Sequence, residues 1–151
     1  MLGTVTEILR LYEASCLIFS GMELIYTSPH SGVKPLLEFL KLDQTLYPKE
    51  SLVLLDQVTG KASYLLAVYL GIKTIYTPLA SLMAIDAART HNTILHYETS
   101  VPFIMNRDKT CLCPLEASVL LVEDPDDALS VLTDTIHRLM EEKEKASIPA
   151  Y

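Results

Sequence analysis

The residues with the clearest chemical potential stand in the run Asp56-Gln57-Val58-Thr59-Gly60-Lys61-Ala62. The run follows an apolar stretch typical of a buried strand and precedes a helical pattern. It is therefore expected at the carboxyl end of a strand, where open α/β sheets bind ligands. Backbone N–H groups at a helix start attract anions. We interpret Thr59, Gly60 and Lys61 as anion-binding candidates and Asp56 as an acceptor for a ribose or base.

The same run also fits a purely structural role. Thr59 could cap the helix, Gly60 could serve a tight turn, and Lys61 could be solvated. The Gly-Lys pair matches only part of a P-loop, because that motif needs Gly where Leu55 stands and Ser or Thr where Ala62 stands. An NTPase is therefore not expected, and the ligand site and the structural turn both stay open.

A second candidate is the polar segment Asn106-Arg107-Asp108-Lys109-Thr110. Asn106 and Arg107 could contact a base or an anion, since a guanidinium fork matches an anion well. Five polar residues between apolar segments are also the composition of an ordinary exposed turn. The turn is the favoured interpretation, with both side chains kept as ligand candidates.

A metal centre is not indicated by the cysteines or histidines. Structural zinc sites usually combine two closely spaced Cys or His pairs, whereas Cys111 and Cys113 are separated by one residue and Cys16 lies far away in a strand-like run. The histidines stand singly, and His30 alone is near a candidate loop. We predict no metal and no cofactor. The absence of a G-x-S-x-G element gives no support to serine-hydrolase chemistry.

The elements that must position these residues follow from the spacing of apolar side chains and from turn residues. Gly21 suits a hairpin turn, and Gly71 suits the end of a helix. The pattern predicts helices over residues 4–12, 34–42, 61–70 and 81–90, a short helix from 113, and a last helix from 124 to about 145. Predicted strands cover 16–19, 23–27, 51–55, 72–77 and 93–98.

This order of elements predicts an α/β fold. A hairpin followed by strand–helix–strand–helix–strand favours a three-layer α-β-α sandwich with a mixed sheet of about five strands, partly parallel. We expect one domain over residues 1–145 and a disordered tail over 146–151.

Composition limits the function. The 151 residues contain 12 Lys and Arg against 19 Asp and Glu, for a net charge of −7, so general nucleic-acid binding is not expected. We see no apolar stretch long enough for a membrane span and no secretory signal. Three cysteines suggest a reducing compartment, and the cytoplasm is the expected location. A homo-oligomer is compatible with the apolar content.

Several ordered strings resemble an uncharacterised bacterial and archaeal family, domain of unknown function 1893, which is assigned to the cytidine-deaminase-like fold. The resemblance covers about residues 5 to 132. The strings are Thr27-Ser28, Gly32-Val33-Lys34-Pro35-Leu36-Leu37, the run Asp56 to Ala62, Val101-Pro102-Phe103-Ile104-Met105-Asn106-Arg107-Asp108, and Leu112-Cys113-Pro114-Leu115-Glu116.

The resemblance implies where a zinc site would stand if there were one. Deaminases of that fold carry His (or Cys)-x-Glu at one helix start and Pro-Cys-x-x-Cys at the next, around a metal that activates water. The matching places here are His30 to Pro35 and Asp56 to Lys61. Gly32 replaces the glutamate, and the second place has no cysteine. A zinc-dependent deaminase is therefore not expected.

Three hypotheses follow. The first is a protein that binds a nucleotide-like or phosphorylated small molecule at the carboxyl edge of the sheet, without zinc, through the candidate residues given above. The second is a metal-free enzyme that uses Asp56 and Lys61 as an acid–base pair. The third is a non-catalytic interaction or oligomerisation module that meets a copy of itself through its helices or a sheet edge.

Overall fold

The computed structural model describes residues 4–106 and 111–147. Helices are α1 (Val5–Leu11), α2 (Lys34–Leu40), α3 (Lys61–Tyr69), α4 (Leu82–Ala88), α5 (Pro114–Ser118) and α6 (Pro125–Ser147), with short 3₁₀ turns at Gln44–Leu46 and Lys49–Ser51. Strands are β1 (Cys16–Ser20), β2 (Glu23–Ser28), β3 (Leu52–Asp56), β4 (Thr74–Ser81) and β5 (Ile94–Val101).

The described strands form one mixed sheet in the order β2-β1-β3-β4-β5. The second strand in this order, β1, is antiparallel to both of its neighbours, whereas β3, β4 and β5 are mutually parallel. The parallel pairs are joined by α3 and α4, as parallel strands require a crossover. The predicted α/β fold with a mixed five-stranded sheet and helices is confirmed.

Local sequence signals explain most element ends. Thr4 and Glu7 form a reciprocal capping box at the start of α1. Gly21 has a φ of 62° in the β1–β2 turn, a left-handed conformation that glycine adopts without strain. The prediction ended a strand at residue 77, yet β4 continues through Pro78. A proline cannot donate to the sheet, but its carbonyl accepts a hydrogen bond from Thr99 Oγ1 at 3.0 Å.

The main core lies on one face of the sheet, where α3 is almost entirely buried between the strands and helices α2, α4 and α6. Tyr64 of α3 is fully buried, and its hydroxyl donates to the carbonyl of Thr93 at 2.6 Å. The opposite face carries a smaller cluster around Leu9, Leu17 and Leu55, which is covered by α1. Helices therefore lie on both faces of the sheet.

The last helix, α6, continues through Ser147, and residues 148–151, the remainder of the expected tail, lie outside the described residues. Among the described residues, no helix combines the length and the apolar character that crossing a bilayer requires.

Candidate functional site

A cavity of about 710 Å³ opens between the starts of α2 and α3 and is closed by α5 and α6. Small-molecule sites in proteins are commonly of this size and are mostly apolar with a few polar groups. Its apolar walls include Val33, Leu37, Val58, Ile104, Leu115, Ile136 and Met140; its polar groups include Lys34, Glu38, Lys41, Ser63, Cys113 and Glu116. The two helix starts singled out by the sequence thus face one shared space.

The start of α3 is occupied by a carboxylate of the chain itself. Gly60 is the N-cap of α3 and supplies no capping side chain. Instead, Glu116 Oε2 accepts a hydrogen bond from the backbone N–H of Ala62 at 3.3 Å. A Cβ atom at position 60 would overlap the Glu116 carboxylate. Glycine at position 60 therefore leaves the space that the Glu116 carboxylate occupies.

Burial changes the acidity of this carboxyl group. Glu116 is only 6% exposed, and burial raises its pKa above the ordinary value. The backbone N–H groups of Ala62 and Lys61 and the positive charge of Lys61 act in the opposite direction, because they favour the ionised form. Since Glu116 also lines the cavity, it can accept a hydrogen bond from a bound ligand.

Lys61 turns away from this cavity. Its ammonium Nζ donates to the carbonyl of Leu120 at 3.0 Å and to Glu123 Oε1 at 3.2 Å, and its side chain is 5% exposed. These contacts attach the start of α3 to the segment between α5 and α6. The role of Lys61 as an anion ligand stays a prediction, and its described partners are groups of the protein.

Asp56 stands at the end of β3 in a row of buried polar side chains. Cys16 pairs with Asp56 on one side and with Ser28 on the other. Leu55 pairs with Tyr76, so the following residues, Asp56 and Thr77, also lie side by side. Asp56, Cys16, Ser28 and Thr77 are each at most 2% exposed.

The Asp56 carboxyl group is incompletely satisfied. Oδ2 accepts from the Thr59 hydroxyl at 3.3 Å, while Oδ1 is buried without a hydrogen-bond partner. Burial raises the pKa of Asp56 to about 7, against smaller opposing effects of the Thr59 hydroxyl and the nearby Val58 and Gln57 N–H groups. This carboxyl group therefore changes protonation state near neutral pH.

The second candidate segment is only partly described. The backbone N–H of Asn106 donates to the carbonyl of Cys111 at 2.9 Å, and its side-chain Nδ2 lies 3.1 Å from Cys111 Sγ. Asn106 is thus paired with Cys111 and does not line the cavity. Arg107, the other candidate, lies outside the described residues.

Sequence reasoning missed the basic groups at the cavity. Lys34 and Lys41 are exposed, line the cavity and lie seven residues apart, two turns along the α2 helix and its C-terminal end. Between them, Glu38 accepts a hydrogen bond from the Tyr26 hydroxyl at 3.0 Å. Partial burial, and then this contact with Glu38, raise the pKa of Tyr26 to about 12. The seven-residue spacing of these lysines, which places them on one side of a helix, could have identified them from the sequence.

The metal-ligating residues are dispersed in the described part of the chain. No group of three or more His, Cys, Asp or Glu side chains is arranged there to hold a metal ion. Cys16 is buried in β1, Cys111 is exposed, Cys113 is half-buried at the cavity, and all three are free thiols. Within the described ranges, His30 is an exposed loop residue outside the cavity lining.

The mixed sheet and the cavity at two helix starts define an α/β protein with a ligand-sized pocket. The chain belongs to the family described as TM1506, domain of unknown function (DUF1893), whose model matches residues 4–136. A crystal structure of a DUF1893 family protein (TM1506) from Thermotoga maritima is similar, with a TM-score of 0.76 and 25% identity over 85% of each chain. No curated protein matches the chain. The cytidine-deaminase-like assignment stays a prediction.

Proposed function

We propose that this protein binds a small molecule with a flat or apolar body and an anionic group, such as a nucleoside monophosphate, in the cavity between α2, α3 and α6. The observation that carries the proposal is the cavity itself, which has apolar walls, a buried carboxylate inside and two exposed lysines, at the start and the C-cap of α2. Binding needs no zinc, since the recognising groups belong to the chain.

Each part of such a ligand has a partner in the cavity. The apolar side chains Val58, Leu115 and Ile136 bury the body and supply most of the affinity. Glu116 accepts a hydrogen bond from an amino or hydroxyl group of the ligand, which favours a nucleoside over a plain hydrocarbon. Lys34 and Lys41 attract the phosphate at the opening of the cavity.

In this proposal the anion is bound by Lys34 and Lys41 and not by Lys61. Lys61 is held by Leu120 and Glu123, whereas Lys34 and Lys41 are exposed and line the cavity. The same contacts weigh against an acid–base pair of Asp56 and Lys61, because Asp56 bonds to Thr59 and Lys61 bonds elsewhere. Simple binding is thus better supported than catalysis by that pair.

Calorimetric titration with AMP, CMP and the unphosphorylated nucleosides tests the proposal. We expect at least one monophosphate to bind about tenfold more tightly than its nucleoside, a gain of about 1.4 kcal/mol from the phosphate contacts. The double variant Lys34→Ala/Lys41→Ala should bind both forms equally. Lys73→Ala/Arg89→Ala removes the same charge away from the cavity and should keep the preference.

Two results would overturn this function. The first is the absence of heat or thermal stabilisation with any of these compounds at millimolar concentration, since a ligand at 100 times its Kd adds about 2.7 kcal/mol. The second is a phosphate preference that survives in the double lysine variant.

A further inference from the structure

The outer strand β5 presents an open edge. Of the described strands it pairs only with β4, and it continues for eight residues from Ile94 to Val101. Six of these residues are exposed. The apolar and aromatic side chains there include Ile94 and Tyr97, which are 49% and 45% exposed. An edge of this length is a template for pairing with another strand.

Three devices that usually block such pairing, namely proline, lysine and a bulge, are missing from β5. Edge strands are commonly protected by proline, by lysine or by a bulge. The segment Ile94–Val101 contains no proline, lysine or arginine, and its register with β4 does not shift. The opposite edge strand β2 differs, because its pairing with β1 is interrupted by a bulge near Phe19.

Every second residue of β5 turns its backbone N–H and C=O groups away from β4. The backbone N–H of Ile94 donates to the carbonyl of Lys73 at 2.9 Å, so Ile94 turns its main chain toward β4. Successive residues of a strand alternate in this direction. Leu95, Tyr97 and Thr99 therefore turn their N–H and C=O groups to the open edge.

We propose that a second copy of this chain pairs with β5, antiparallel, about a two-fold axis at Tyr97. In this register Tyr97 faces Tyr97 of the partner subunit, and Leu95 faces Thr99 of the partner subunit. These are residues whose main-chain groups turn to the open edge, and each such pair can exchange two N–H···O bonds. The two sheets join into one continuous sheet.

Side-chain chemistry selects this register over its neighbours. It sets His96 opposite Glu98 of the partner subunit, an imidazole N–H donor beside a carboxylate acceptor, twice by symmetry. These are non-hydrogen-bonded pairs, in which side chains approach most closely. A shift by one residue on each strand sets carboxylate against carboxylate or imidazole against imidazole, and like groups directly opposite are unfavourable.

The side chains beside the edge add apolar contact. Tyr76 of β4 stacks on His96 with ring centroids 4.8 Å apart and 14° between the planes. This stack holds the imidazole in place above the edge, so pairing requires less ordering of His96. Tyr76 is itself 40% exposed and lies beside the contact.

Sedimentation equilibrium of the full chain tests the proposal, with a concentration-dependent monomer–dimer equilibrium as the expected result. Glu98→Lys replaces both carboxylates with cations and should weaken association about tenfold. His96→Glu/Glu98→Lys exchanges the two groups and should recover part of the loss. Glu23→Lys on the other edge strand makes the same charge change and should have no effect. A strict monomer, or equal effects of Glu98→Lys and Glu23→Lys, would overturn the proposal.

Cross-linking tests the register independently of affinity. In a Cys111→Ser background, Tyr97→Cys places two thiols on residues about 5.5 Å apart between Cα atoms, within reach of a disulfide. Thr99→Cys places them about 14 Å apart, beyond reach. Oxidation with diamide should give covalent dimers of the first variant only. Cross-linking at position 99 and not at 97 would rule out this register.

Discussion

The Glu116 carboxylate lies against the backbone of Gly60, in the space that a side chain at position 60 would fill. The contact joins the start of α3 to α5 across 54 residues of sequence, and it includes the hydrogen bond from Ala62. Both residues stand in strings that resemble the family. Gly60 and Glu116 are thus in direct contact, and substitutions at the two positions should have coupled effects on stability.

Replacement of Gly60 by alanine should destabilise the protein by about 2–3 kcal/mol, because the new methyl group overlaps a buried carboxylate. The backbone at Gly60 has a φ of −97°, which alanine adopts freely, so the loss reports the overlap. Urea denaturation of Gly60→Ala, Glu116→Ala and the double variant measures the coupling. We expect the double variant to be more stable than the sum of the single losses by about 1 kcal/mol or more. Additive losses would show that the two groups do not meet.

Stability should fall as pH rises from about 4 to about 7. The pKa of Asp56 is raised from 3.8 to about 7, so in this window the folded chain holds a proton that the unfolded chain releases. The stabilisation is complete below pH 4 and is lost as pH rises through 7, by up to about 4 kcal/mol.

The variant Asp56→Asn isolates this effect, since it cannot ionise. Its free energy of unfolding, measured by urea denaturation across the same pH range, should change much less than that of the unaltered chain. A smaller slope of the same sign should persist, because burial also raises the pKa of Glu116. An unchanged slope in Asp56→Asn would assign the pH dependence to other groups.

The contacts of Lys61 predict a structural role for its ammonium group. Lys61→Met keeps the apolar stem but leaves the Leu120 carbonyl without its donor, and should cost about 1–2 kcal/mol. Glu123→Gln should cost less than about 0.5 kcal/mol, because Glu123 is 71% exposed and surface ion pairs contribute little. Chemical denaturation of both variants distinguishes the two contacts. Equal losses would mean that the ion pair dominates.

The three thiols should differ in reactivity. Burial, and then the negative charge of Asp56, raise the pKa of the Cys16 thiol, so it should resist alkylation in the folded protein. Cys111 is exposed and should react first. Mass spectrometry after iodoacetamide treatment, with and without urea, locates the modified residues. Modification of Cys16 before Cys111 under native conditions would contradict this order.

Most of the fold was predictable because its signals are local. The hairpin turn at Gly21, the capping residue Thr4 and the buried run of β3 each depend on neighbours within a few residues. Parallel pairing of the later strands followed from the alternation of strand and helix patterns. The extension of β4 past Pro78 was missed, since it depends on a partner strand about twenty residues away.

The site was harder to predict because its contacts are distant in sequence. Gly60 was a candidate for binding an anion, which stays a prediction, whereas the close approach of Glu116 from a distant part of the chain was not anticipated. Lys61 contacts Leu120 and Glu123, which follow it by 59 and 62 positions. Cys16 and Asp56 are neighbours on adjacent strands. Neither relationship leaves a local pattern in the sequence. Such contacts arise from the register of the sheet and the packing of helices.

The carboxylate at the start of α3 also has a consequence for the order of folding during synthesis. Chains emerge from the ribosome with the N-terminal part first. When β1, β2, β3 and α3 have emerged, the N–H of Ala62 still lacks its acceptor, because Glu116 follows 54 residues later. The packing of α3 is therefore completed late, after α5 has emerged and Glu116 can accept this hydrogen bond.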